Sequence, residues 1–236
     1  MLAVQICGNG LCCEARLKLF TNKYHMEVKF KNKVLTEQER KGLISEMDKL
    51  IAEYSESIHR YHNRTCANEN WKSLLKVLDE IGEYSLRVIT DCVVLQKYFL
   101  LATSHYEKAL FRGKLQVILN EGFKQVYGFK ESKKKPSLWN RLSDFAERFP
   151  DSLKKRHQNL QEKLEMYSQD SWWMDERNSE THLDIAALYE SRETSIVEAK
   201  VIMESKELID ILLDVHAFMT NLYGLYCADL YQQYWK

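Results

Sequence analysis

NWKSLLKVLDEIGEYSLRVITDCVVLQKYFLLA, residues 70–102, carries Trp71, Leu74, Leu78, Ile81, Val88, Cys92, Leu95, Phe99 and Ala102 at alternating steps of three and four. That spacing draws one apolar stripe along a helix and repeats as an a/d heptad. Only Ser85 interrupts it. From Val93 to Leu101 the apolar residues spread round the whole circumference, a pattern that suits a helix with neighbours on several sides. The stretch predicts the central helix of a bundle.

Working outward, the same period appears on both sides. Thr36 and Glu39 form a T-x-x-E capping box, and Leu43, Met47, Leu50, Ile51, Tyr54, Ile58 and Tyr61 follow at helical steps opposite Glu46, Lys49, Glu53 and Glu56. A helix ending near His62 is expected. After the central helix comes another, about Tyr106 to Tyr127, stopped by Gly128, a suitable C-cap residue. A basic loop, Lys130 to Lys135, precedes Pro136. A short helix over about Ser137 to Phe149 is divided by Pro150 from a polar one over about Asp151 to Tyr167. The last helix is expected from about Ser191 to Tyr231. Residues 1–35, with glycines at 8 and 10 and adjacent Cys12 and Cys13, read as an N-terminal arm or short hairpin. Residues 36–236 read as one all-α domain, a bundle of about five to seven helices.

Composition agrees with this class. Two prolines and eight glycines in 236 residues leave little material for the many turns of a sandwich or barrel. Thirty-four basic and thirty-four acidic side chains give zero formal net charge, without the global excess of a dedicated nucleic-acid binder. The most apolar stretch, Cys92 to Ala102, is about half the length a bilayer requires, so no membrane span is expected. The N-terminus lacks a basic region ahead of its apolar residues, and the six cysteines make no spaced framework. The expected location is cytoplasmic, with reduced thiols.

One segment carries a specific signal: SQDSWWMDERNSETHLD, residues 168–184. Arg177 is followed directly by Asn178 and, after four intervening residues, by His182. This R-N-x-x-x-H spacing, in an all-α chain and ahead of a long helix, resembles the signature of the HEPN family of helical-bundle domains. The resemblance implies either of two functions. Active members are metal-independent ribonucleases of toxin or defence type, working as dimers in which paired motifs meet. Inactive members are binding modules for a protein or nucleotide partner. It further implies a homodimer, with RNA, an antitoxin or another protein as possible partners, and no cofactor.

The residue chemistry suits RNA cleavage. A histidine near neutral pKa can move the proton of a ribose 2′-hydroxyl, as His182 would. An arginine can hold a phosphate through bidentate charge-assisted hydrogen bonds, as Arg177 would. Asn178 would position the other two. On one continuous helix Arg177 and His182 lie about 140° apart, so the motif needs a break or helix start near Ser179 to Thr181. Tyr189, two turns after His182, is then a secondary candidate. Against this, Asp170, Asp175, Glu176, Glu180 and Asp184 surround Arg177 with negative charge, which opposes an RNA backbone unless basic residues arrive from elsewhere.

Other constellations are weaker. Glu56-x-x-His59, with Glu53 and His62 nearby, resembles half of a di-iron site, but no second copy occurs. No metal is expected. Lys133, Lys134 and Lys135 read first as a solvated loop. Trp172 and Trp173 read as anchors to the core. His25, His105, His157 and His216 read as surface or boundary residues, and Tyr223, Tyr226, Tyr231, Tyr234 and Trp235 as an adhesive surface.

Overall fold

The computed structural model describes residues 35–62, 69–128, 136–169 and 198–234. Among the described residues there are six α-helices, one 3-10 turn and no strand. They are α1 (Glu37–His62), α2 (Glu69–Leu101), α3 (His105–Tyr127), α4 (Leu138–Ser143), α5 (Asp151–Gln169) and α6 (Glu198–Tyr234), with the 3-10 turn at Ala146–Arg148.

Local chemistry sets the helix ends. At α1 the Glu39 amide donates to Thr36 Oγ1 at 3.2 Å, and the Thr36 amide donates back to Glu39 Oε2 at 2.8 Å. Ser104 and Glu107 repeat this capping box at α3. Gly128 closes α3 at φ +92°, where a side chain would be strained.

The segment 137–149 differs from the single short helix expected. α4 stops at Ser143, whose hydroxyl donates to the Trp139 carbonyl at 3.0 Å, and the chain turns before the 3-10 segment. Phe149, ahead of Pro150, is extended, as the residue before a proline prefers.

α2 is the central element and touches α1, α3, α4 and α6. Its stripe is buried: Leu74, Leu78, Ile81, Val88, Cys92 and Phe99 all lie in the core, and Ser85 is buried with them. α1 runs antiparallel to α2, with Lys97 reaching Asp48 near one end and Gly82 against Tyr61 near the other. α3 is also antiparallel to it, with Tyr98 stacked on Phe111 and Val88 against Gly122. α6 is the third antiparallel neighbour. There Gln96 Nε2 donates to Ser205 Oγ at 2.5 Å, Tyr223 donates to Asp79, and Trp71 Nε1 donates to Asp229 at 2.8 Å.

The N-termini of α1, α3 and α6 therefore point to the same end of the bundle. α5 lies outside this group, antiparallel to α3 and α6, where Tyr167 packs on Phe123 and Lys163 pairs with Asp214.

Two side-chain readings are corrected, those of His216 and of the C-terminal tyrosines, whereas His157 sits at the boundary as expected. His216 is buried, 7% exposed, with its Nδ1 3.4 Å from the Tyr61 hydroxyl. His157 is half-buried, enclosed by aromatic rings. Tyr223 and Tyr226 are partly buried and packed against the core, the first bonded to Asp79 and the second tilted against Trp71 at 5.5 Å, so neither is a free adhesive surface. The apolar stretch that passes by length and composition for a membrane span is Val201–Asp229 in α6, and 56% of it is buried inside the bundle.

Candidate functional site

Arg177, Asn178, His182 and Tyr189 lie outside the described residues, as do Trp172, Trp173, the acidic residues around the motif and the Lys130 to Lys135 loop. After residues 170–197, which lie outside the described set, the described chain resumes at Glu198. Glu198 opens α6, sixteen positions after His182, and its side chain is only 5% exposed. Arg40 of α1 donates from Nη2 to both carboxylate oxygens, at 3.1 and 3.0 Å, and Lys108 of α3 donates to Oε1 at 2.7 Å. Burial alone would raise the Glu198 pKa. The hydrogen bonds and charges of Lys108 and Arg40 outweigh it and hold the carboxyl below the ordinary glutamate value.

This clasp joins the first turns of three helices. It places a carboxylate where the positive ends of three helix dipoles meet, which adds to the attraction of the two cations. It also occupies Arg40 and Lys108 internally, so they are not open cations for a phosphate. No local sequence pattern announces the clasp, because its partners are 158 and 90 positions apart.

A second juxtaposition missed in the sequence is Ser143 with His157, whose Oγ and Nε2 are 3.0 Å apart. His157 stacks on Trp139 at 4.7 Å and 4°, with Phe149 and Phe218 on other sides. Burial lowers its pKa, so the ring is neutral at pH 7. A serine beside a neutral histidine is the beginning of a nucleophile and base pair. Here the surroundings oppose that chemistry. Ser143 already donates to the Trp139 carbonyl, which leaves its oxygen to accept from His157. It also sits in the last turn of α4, where the helix dipole is negative and would repel a developing oxyanion. The pair is better understood as fastening α4 to α5.

Glu53, Glu56 and His59 are exposed on α1, and His62 falls where side chains are outside the described set. Among the described residues no group of three or more His, Cys, Asp or Glu gathers as metal ligands would. Cys92 is buried, and burial followed by the nearby Asp91 charge pushes its thiol pKa up, keeping it protonated.

Fold and contacts together define an all-α helical bundle built on one core. No family model, curated protein or solved structure matches the chain.

Proposed function

We propose that the protein is a HEPN-like, metal-independent endoribonuclease of toxin or defence type that acts as a dimer. The observation that carries this reading is the R-N-x-x-x-H spacing of Arg177, Asn178 and His182 within an all-α chain. In this reading His182 is the general acid or base, Arg177 stabilises charge on the phosphate, and Asn178 orients them. Tyr189 is the secondary candidate. The second reading, a catalytically silent module that binds a protein or nucleotide, is favoured by one feature: five acidic residues between Ser168 and Ala186 against Arg177 alone.

The test is cleavage of labelled single-stranded RNA in excess EDTA. Wild type should cut, while Arg177→Ala and His182→Ala, with unchanged circular dichroism, should lose at least a hundredfold in rate. Wild type that leaves RNA intact under these conditions turns the assignment to the silent module.

A further inference from the structure

The attachment of α5 to the bundle divides into two halves of different chemistry. Its second half is held by three separate contacts: Gln161 accepts from Trp139, Lys163 pairs with Asp214, and Tyr167 packs on Phe123 at 4.9 Å. Its first half has one polar fastener, His157, whose Nε2 lies 3.0 Å from Ser143 Oγ. Three rings from three other segments close on the imidazole: Trp139 of α4 at 4.7 Å, Phe149 after the 3-10 turn at 5.9 Å and Phe218 of α6 at 6.0 Å. Trp139 and Phe218 are fully buried and Phe149 nearly so.

This arrangement suits a neutral ring. Ser143 spends its proton on the Trp139 carbonyl, so His157 donates from Nε2, and the other ring nitrogen is left to take up a proton. Protonation then sets a full charge among apolar rings with no carboxylate bonded to it. We infer that His157 is an acid-sensitive catch: when its ring takes a proton, the first half of α5 loosens from α4 and α6 while the rest of the bundle stays closed. The device is independent of the ribonuclease reading.

The charged groups on the surrounding elements do not offset that charge. On α4, Arg141 is bonded to Glu80, and Asp144 lies at the helix end. At the 3-10 turn, Glu147 is reached by Lys154 at 3.7 Å, and Arg148 lies over the rings of Trp71 and Phe145. On α6, Asp214 is taken by Lys163, and His216 lies beside Tyr61. On α5 itself Asp151 stands against Lys154, Lys155 and Arg156, a local excess of positive charge that opposes a further cation. The Trp139 face would attract an imidazolium, but burial outweighs that attraction and lowers the His157 pKa with no charge contributing. Loosening therefore belongs to the window below 6.5, where an unfolded histidine charges first.

Hydrogen exchange on the full chain at pH 7.5 and 5.5, expressed as protection relative to the intrinsic rate at each pH, tests the proposal. In wild type, amides over residues 153–161 should lose roughly threefold to tenfold in protection at the lower pH, while α2 is unchanged. His157→Phe keeps the ring packing, and His157→Gln keeps a donor for Ser143; neither titrates, and each should abolish the step. Ser143→Ala should lower protection at both pH values and preserve the step, which separates the proton switch from a merely structural bond. The proposal is overturned by wild type with equal protection at both pH values, by a step that persists in the two His157 variants, or by a loss shared equally with α2.

Discussion

Replacing Glu198 by glutamine keeps its shape but leaves Arg40 and Lys108 facing an uncharged amide. Breaking a fully buried pair costs about 3–5 kcal/mol, but Arg40 and Lys108 retain 29% and 23% exposure, so water screens part of this. Glu198→Gln should destabilise by about 1–3 kcal/mol in urea unfolding. The pH dependence follows from the lowered folded pKa. The ion-pair contribution is complete above the unfolded glutamate value of 4.5 and is lost as pH falls through the folded value. The stability gap between wild type and variant should therefore be constant near pH 7 and close below pH 4.5. His157 acts in a higher window. Its folded pKa is depressed by burial, so its contribution is full above 6.5 and declines as pH falls from there toward the folded value. NMR titration should place the His157 midpoint below 6.5, and His157→Phe should remove that part of the pH dependence. Neither residue was distinguishable in the sequence. A single histidine or glutamate has no period, and its environment is set by rings and cations from distant positions.

At the level of the helices, the approach of α2 to α3 depends on Gly122. A Cβ built there would lie 2.5 Å from Val88 Cγ1, far inside contact distance. Alanine improves helix propensity by about 1 kcal/mol, whereas overpacking costs about 1–3 kcal/mol. The clash should win. Gly122→Ala is expected to lose about 1–2 kcal/mol, and adding Val88→Ala should recover part of it by clearing the space. A recovery of zero in that double-mutant cycle would mean the two helices do not meet as described. The bond from Gln96 to Ser205 fixes α2 against α6 in a different way, by placing a polar group in an apolar seam. Helices with strong period were legible: the capping box at Thr36, the stripe from Trp71 and the Gly128 stop all reappear within a residue or two of the expected positions. The break after Ser143 was not, because it turns on one hydroxyl bonding its own helix and on Phe149 packing into the core. The pairing of helices was also hidden. Periodicity gives each helix an apolar face but does not say which face meets which.

For the whole molecule, the decisive property is that one helix holds the others. α2 contacts α1, α3, α4 and α6, while α5 packs mainly on α6 and the 3-10 turn. Loss of packing in α2 therefore weakens every helix it touches, whereas loss in α5 can be absorbed locally. Ile81, fully buried at the middle of α2, and Leu164, fully buried in α5, make the comparison with similar chemistry. Truncation of either to alanine removes apolar contacts and leaves a cavity, at a cost of about 2–5 kcal/mol. Their hydrogen-exchange patterns should differ. Ile81→Ala should reduce protection in α1, α2, α3 and α6 together, because their slowest amides exchange through a shared global opening. Leu164→Ala should speed exchange first in α5 and in the α4 corner, which Trp139 joins through its bond to Gln161 at 2.5 Å. A Leu164 variant that lowers protection equally across α2 would instead place α5 in the same cooperative unit as the central helix. With the expected result, α1, α2, α3 and α6 form the cooperative unit that holds the Glu198 clasp.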